Sequence, residues 1–266
     1  MKRRAFTKGV SVLSAMKKEK TMKTITSILA VLGLATACSQ ELPYEVDRFT
    51  TKNGKTVKTH ALVHSSICIE FDGWEIYVDP VTKLGNKNID YSTMPKADYI
   101  FITHEHFDHL DTTAIQLLKG ENTQVITNQR CADMLGYGTA MANGDILQLA
   151  DSFVVEAVPA YNTSEGRQGF HPQGRDNGFV LTLDGLRIYI AGDTEDIPEM
   201  AELSAIDVAF LPCNQPYTMT VEQLVNAART VKPKVLFPYH YGQTDVSGIP
   251  ALLKDEGIET RIRHYE

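Results

Sequence analysis

Residues 98–109 carry the strongest pattern in the chain and read Asp98-Tyr99-Ile100-Phe101-Ile102-Thr103-His104-Glu105-His106-Phe107-Asp108-His109. The first five residues of this stretch are typical of a strand buried within a sheet, because the run is largely apolar, β-branched and aromatic. Three histidines and one aspartate follow within six positions, at the spacing H-x-H-x-D-H. Imidazole and carboxylate groups bind zinc, manganese or iron, and ligands in open α/β proteins bind where strands end. The stretch therefore predicts a metal site whose ligands are His104, His106, Asp108 and His109.

Two further strand ends carry residues of the same kind. Asp193 follows an apolar run that ends at Ala191-Gly192, and His240 follows another that ends at Tyr239. An aspartate alone in such a place is more often a helix cap, and a lone histidine is usually structural. Because both stand at the ends of apolar strands in a chain with the first motif, we interpret them as metal ligands.

Together these motifs resemble the metallo-β-lactamase superfamily of dinuclear metal hydrolases. The resemblance implies an α/β fold, a four-layer αβ/βα sandwich with the metal site at one edge between two sheets. The ligands that it implies are His104 and His106 for the first metal ion, Asp108, His109 and His240 for the second, and Asp193 as a bridge between the two.

One ligand of the first metal ion is not placed by these motifs. Members of the superfamily commonly have a histidine directly after the strand that corresponds to residues 153–158, where this chain has Pro159-Ala160-Tyr161-Asn162. Ala-Tyr-Asn followed by Phe-His-Pro at residues 170–172 resembles a branch of uncharacterised bacterial and archaeal metal-dependent hydrolases, from about residue 59 to 264. We assign the missing ligand to His171, and a substrate-contacting or surface histidine is the alternative.

Two residues resemble supporting groups of the site. Asp79 resembles the superfamily's aspartate that accepts a hydrogen bond from a metal-binding histidine, a contact that fixes the orientation of the ring. A turn aspartate before Pro80 is the alternative. His64, in His64-Ser65-Ser66, resembles a stretch near the site, and a buried structural histidine is its alternative.

Substrate contacts are expected from residues near His171 and His240. Arginine binds carboxylate and phosphate groups through two hydrogen bonds, so a small anionic substrate is the expected partner. Solvated side chains are the alternative. The candidates are Tyr161, Arg167, Arg175 and Tyr241.

The resemblance also implies the chemistry. Two neighbouring divalent metal ions lower the pKa of a shared water molecule and generate a hydroxide nucleophile. Asp108 and Asp193 are the expected catalytic residues, and Asp108 would orient the hydroxide or protonate the leaving group. A small phosphoester or lactone is the expected substrate; the alternatives are a phospholipid or nucleic-acid phosphodiesterase and a non-catalytic metal- or ligand-binding envelope protein. Nitrogen and oxygen ligands suit zinc, with manganese and iron as alternatives.

The N-terminus predicts a bacterial lipoprotein signal. A basic region begins at Met22-Lys23, residues 25–35 are largely apolar, and Ala35-Thr36-Ala37 precedes Cys38. We expect a signal peptide over residues 1–37, with Met22 as an alternative start, a tether over 38–55 and one domain over 56–266. Lipid on Cys38 would hold the protein at the membrane of the bacterial cell envelope, and an ordinary secretory signal is the alternative.

The net charge and the turn-forming residue pairs of the chain support further expectations. The net charge of −7 argues against nucleic-acid binding, and nothing in the sequence predicts the oligomeric state.

The pairs Asp72-Gly73 and Asp184-Gly185 separate apolar runs and predict β-hairpins. The first hairpin is expected to join a strand over residues 59–71 to the next. Residues 195–203 are expected to be helical.

Overall fold

Sixteen strands lie in the part of the chain that the computed structural model describes, residues 42 and 44–265. The first half supplies β1 (Val46–Thr50), β2 (Thr56–Val63), β3 (Ser66–Phe71), β4 (Trp74–Val78), β5 (Lys83–Leu84), β6 (Lys87–Asn88), β7 (Ala97–Ile102), β8 (Lys119–Thr127) and β9 (Thr139–Ala140). The second half supplies β10 (Ile146–Ala150), β11 (Phe153–Ala160), β12 (Asp176–Leu183), β13 (Leu186–Ile190), β14 (Val208–Pro212), β15 (Val235–Tyr239) and β16 (Glu259–Thr260).

These strands form two seven-stranded sheets and a small pair, β5–β6. The first sheet has the order β1-β2-β3-β4-β7-β8-β9, and the second runs from β10 to β16 in sequence order. Each sheet begins with antiparallel hairpins and ends with parallel strands. The carboxyl ends of the parallel strands meet at one edge of each sheet, so residues that follow β4, β7, β13 and β15 are brought to that edge.

Helices cover the outer faces of the two sheets. The described residues include α1 (Thr112–Leu118), α2 (Gln129–Leu135), α3 (Val221–Val231) and α4 (Ile249–Leu253), with 3₁₀ helices at Tyr91–Thr93 and Pro198–Glu202. Asp111 caps α1 by accepting hydrogen bonds from the amides of Thr113 and Ala114. None of the helices in the described part of the chain is long and apolar enough to span a membrane.

The central core lies between the two sheets. Because side chains alternate along a strand, Tyr99 and Phe101 of β7 enter this core while Ile100 and Ile102 pack toward the side of α1 and α2. Phe101 contacts aromatic rings of the second sheet, with centroid distances of 6.2 and 5.3 Å. On the opposite outer face, α3 and α4 pack against the second sheet through a further apolar cluster. The predicted αβ/βα sandwich is therefore confirmed.

The two Asp-Gly hairpins are confirmed. Asp72 and Gly73 both have positive φ, at 52° and 88°, and so do Asp184 and Gly185, at 48° and 83°. Positive φ at both central residues is the geometry of a two-residue turn that matches strand twist. The single strand expected over residues 59–71 is wrong, because a second two-residue turn at His64-Ser65 divides it into β2 and β3.

Two other expectations need correction. The tether predicted over residues 38–55 is wrong from Val46 onward, because β1 pairs with β2 along its whole length and buried Asp47 binds Arg261 and Arg263 at 2.9 and 2.7 Å. The helix expected over 195–203 is reduced to a short 3₁₀ helix, since proline disfavours helical backbone in the residue before it. The predicted signal peptide and Cys38 lie outside the described residues.

Candidate metal centre

Asp79 holds the loop that follows β7. Its carboxylate accepts hydrogen bonds from the Thr103 amide at 2.8 Å and from the Thr103 hydroxyl at 2.7 Å. The same carboxylate lies 2.8 Å from Nδ1 of His109, so the Nε2 atom of that ring points toward Asp193, 3.3 Å away. Asp79 thus lies where the sequence predicts a supporting aspartate.

A glycine lets the two halves of the site meet. Gly192 has φ +66°, and a Cβ at this position would lie 2.9 Å from the carbonyl oxygen of Asn177 and 3.2 Å from Cβ of Thr103. A side chain here would push the loop after β13 away from the loop after β7. Glycine is therefore required for Asp193 to reach the histidines of the first motif.

The first cluster joins three histidines and Asp193. Nε2 of His104 lies 3.0 Å from Nδ1 of His106, which lies 3.2 Å from Nε2 of His171. Oδ2 of Asp193 lies 3.3 Å from Nε2 of His171 and 3.9 Å from Nε2 of His104. The four candidate ligand atoms lie within 4.8 Å of one another.

The second cluster joins His64, Asp108, His109 and His240, again within 4.8 Å. Nε2 of His240 lies 3.2 Å from Oδ2 of Asp193 and 3.8 Å from Oδ2 of Asp108. Asp193 therefore contacts histidines of both clusters, through Oδ2 to the first and through both oxygens to the second. This is the position that a carboxylate shared by two cations would occupy.

His64 is the member of this cluster that the ligand assignment does not include. It occupies the turn between β2 and β3 with φ +56°, and its Nε2 lies 3.3 Å from Oδ2 of Asp108. Its ring lies against that of His240, with a centroid distance of 3.7 Å, and its carbonyl oxygen accepts the His240 amide at 3.1 Å. His64 thus joins the first hairpin to the loop after β15.

The donor atoms fit divalent cations. Within the described part of the chain, His109 Nε2, His240 Nε2 and Asp193 Oδ1 are buried without a hydrogen-bond partner of suitable geometry. Atoms at the corners of a tetrahedron lie about 3.4 Å apart when each is about 2.1 Å from the centre, the length of a Zn–N bond. The 3.0 and 3.2 Å separations between imidazole nitrogens in the first cluster are close to this spacing.

Burial and charge set the protonation of the candidate ligands. Burial lowers the pKa of His104 and His240, and it lowers the pKa of His171 to about 4. These rings are neutral at pH 7, the form that binds metal ions. Burial opposes a charge on His109, but the carboxylates of Asp193 and Asp79 outweigh burial and raise the pKa of His109. The carboxylates thus favour positive charge at this end of the site.

Asn162 orients His171, and the sequence interpretation missed this role. Oδ1 of Asn162 accepts a hydrogen bond from Nδ1 of His171 at 2.7 Å, so Nε2 faces the first cluster. The Asn162 amide group donates to the carbonyl oxygen of Tyr217 at 2.8 Å. The signal that could have found it is the Tyr161-Asn162 pair, which stands where the resemblance to the superfamily implies a histidine.

The structure does not bring the expected substrate-contacting side chains to the site. The hydroxyl of Tyr161 donates to Glu199 at 2.9 Å, and that of Tyr241 donates to the carbonyl oxygen of Arg263 at 2.6 Å. Arg167 contacts Gln215 and Glu195. Arg175 pairs with Asp176 at 2.7 Å and with Glu105 at 3.3 Å. The physical reason is that each of these four side chains already binds a partner within the fold.

A cavity of about 480 Å³ opens above the two clusters. Five of the described residues that line it are candidate ligands. The others are Glu105, Phe107, Phe170, Asn214 and Tyr217.

Comparisons with known proteins agree with this geometry. A family model described as "Beta-lactamase superfamily domain" matches residues 59–240. A UPF0173 metal-dependent hydrolase of Archaeoglobus fulgidus is 31% identical over an alignment of 216 residues, and the match covers 76% of this chain and 92% of that protein. Another, from Geobacillus sp., is 34% identical over an alignment of 189 residues, and the match covers 67% of this chain and 82% of that protein.

Solved structures show the same relationship. A protein named as a metal-dependent hydrolase of Parabacteroides distasonis is 51% identical with a TM-score of 0.81, over 84% of this chain and 100% of that one. Igni18, a metallo hydrolase of Ignicoccus hospitalis, is 27% identical with a TM-score of 0.67, over 77% of this chain and 94% of that one. The chain belongs to the metallo-β-lactamase superfamily and, within it, to the UPF0173 metal-dependent hydrolases. It is an enzyme, so the alternative of a non-catalytic binding protein is wrong.

Proposed function

We propose that this enzyme holds two divalent metal ions and hydrolyses a small ester, either a lactone or a phosphoester. The observation that carries the proposal is the pair of donor clusters that Asp193 joins. The first ion would be held by His104, His106 and His171 and the second by Asp108, His109 and His240, with Asp193 shared. When bound, two such ions supply Lewis acidity and lower the pKa of a nearby water molecule.

The protein side chains have separate tasks in this proposal. Asp108 lines the cavity. Burial opposes its ionisation, but the close contact with His64 and a positive charge on His109 outweigh burial and hold the pKa of Asp108 below its usual range. Its carboxylate is therefore ionised at pH 7, so it could accept a hydrogen bond from the attacking water, take the proton that the water gives up, and pass that proton to the leaving group. Asp79 keeps His109 in the required orientation, and Asn162 does the same for His171.

Zinc is the proposed metal, because its usual ligands in proteins include imidazole and carboxylate groups. The test is hydrolysis of a panel of 4-nitrophenyl esters, phosphoesters and lactones before and after treatment with a chelator. We expect activity to disappear with the chelator and to return with zinc; recovery only with manganese or iron would correct the metal. Activity that the chelator leaves unchanged would contradict the proposal, and so would full turnover and two bound metals in Asp108→Asn.

We also propose that lipid on Cys38 attaches the enzyme to the membrane of the bacterial cell envelope. The support is the sequence alone, in which Ala35-Thr36-Ala37 precedes Cys38 after an apolar run. Expression with an alkyne-labelled fatty acid in a bacterial host tests it. Label should be incorporated into the wild-type chain and absent from Cys38→Ala, whereas equal label in both would contradict the proposal.

A further inference from the structure

The cavity wall beyond the metal ligands is largely aromatic. Phe170 and Tyr217 form an edge-to-face pair with a centroid distance of 5.1 Å. Phe107 stands on the loop of the first motif, between His106 and Asp108, and its side chain is 79% exposed. Tyr217 is 46% exposed. An exposed apolar wall beside a site is a common mark of ligand binding, because a ligand removes that wall from water.

The charges at the cavity are already paired within the protein. Glu105 lines the cavity, and its Oε1 lies 2.9 Å from Nε of Arg130 and 3.3 Å from Nη1 of Arg175. Arg175 also binds Asp176, and Arg167 is held by Gln215 and Glu195. Among the described residues that line the cavity, none is lysine or arginine. A negatively charged group on the substrate, remote from the metal ions, would therefore lose hydration without gaining a partner.

We propose that the substrate is a neutral carboxylic ester or lactone with a flat apolar group, which is seated between Phe107 and the Phe170–Tyr217 pair. This inference rests on the proposed function and narrows it away from the anionic substrate that the sequence predicts. Water adds its oxygen to the carbonyl carbon and gives up a proton, the bond from that carbon to the ester oxygen breaks, and the released alkoxide takes up the proton that the water lost. The amide side chain of Asn214 lines the same cavity and offers a neutral polar contact.

The test is binding of three metal-chelating probes to the zinc-loaded full chain, measured by isothermal titration calorimetry. Acetohydroxamic acid, benzohydroxamic acid and 4-carboxybenzohydroxamic acid, called the aceto, benzo and carboxylated probes, share one chelating group and differ in the attached tail. We expect the benzo probe to bind at least about tenfold more tightly than the aceto probe, because aromatic contacts and apolar burial add to chelation. The carboxylated probe should bind more weakly than the benzo probe.

Variants assign the effect to the aromatic wall. Phe107→Ala and Tyr217→Ala should each weaken the benzo probe at least about threefold and leave the aceto probe unchanged. Tyr137→Ala is the matched control, because Tyr137 is an exposed aromatic residue at 38% that does not line the cavity, and it should change neither probe.

The outcomes separate the two proposals. Equal binding of the aceto and benzo probes, or tightest binding of the carboxylated probe, would overturn the neutral apolar substrate while the metal centre stands. Failure of all three probes to bind would overturn the proposed metal centre, and the substrate inference would fall with it. A benzo preference that Phe107→Ala and Tyr217→Ala both leave intact would likewise overturn the inference.

Discussion

Replacing Asn162 by alanine tests how the first cluster is built. Asn162 is 2% exposed and accepts the 2.7 Å hydrogen bond that turns Nε2 of His171 toward the other ligands. Removing such a supporting partner typically lowers metal affinity about 10- to 100-fold, and tenfold corresponds to about 1.4 kcal/mol. We expect Asn162→Ala to weaken one of two bound metals about tenfold and to leave the other unchanged.

The assay is competition for zinc with a chromogenic chelator, which resolves the two affinities. Asn162→Asp should keep the first metal site at its wild-type affinity, because a carboxylate also accepts the hydrogen bond from Nδ1 of His171. Asn122→Ala is the control, since Asn122 is exposed, and both of its sites should match those of the wild type. Wild-type affinities at both sites in Asn162→Ala, or an equal loss of affinity at both sites, would contradict this role of Asn162.

Three further changes have defined outcomes. Asp79→Asn removes the charge that orients His109, so the affinity of one metal should fall about tenfold in the same chelator assay; unchanged affinity would argue against this support. Gly192→Ala should lower the free energy of unfolding by at least about 2 kcal/mol in urea titrations, because left-handed backbone and a 2.9 Å backbone contact both penalise a Cβ; a neutral effect would refute the close approach. Burial raises the pKa of Glu75 from 4.5 to about 7. An acid whose pKa is raised in the folded state makes its full contribution to stability below pH 4.5, and this contribution is lost as the pH rises through 7. Glu75→Gln should therefore stabilise the protein by about 1 kcal/mol at pH 8, after discounting for solvent screening, and little at pH 5; an equal gain at both pH values would contradict the assignment.

The fold and the placement of the metal-ligand candidates could be predicted because they depend on local patterns. An apolar run followed by His104 or His240 indicates a strand end, and parallel strands place their carboxyl ends at the same edge of a sheet. The Asp-Gly pairs likewise fix both hairpins through backbone conformation alone. These signals need no knowledge of which residues meet across the fold.

The remaining parts depend on contacts between distant segments. The turn at His64-Ser65 contains neither glycine nor asparagine, so nothing local separates β2 from β3. The Tyr161-Asn162 pair marks the position in the sequence, but its hydrogen bond to His171 forms only because the loop brings His171 back to Asn162. Arg175 looked available for a substrate, but its charge is taken up by Asp176 and Glu105, and the pairing with Glu105 is visible only once the loops pack together.

Metal content decides whether the two clusters form a dinuclear centre. The purified chain and His171→Ala would be loaded with zinc, desalted and measured by elemental mass spectrometry against protein concentration. We expect about two metal ions per chain in the parent and about one in the variant, because His171 would hold only the first. One ion or none in the parent, unchanged in His171→Ala, would contradict the dinuclear centre and the assignment of His171.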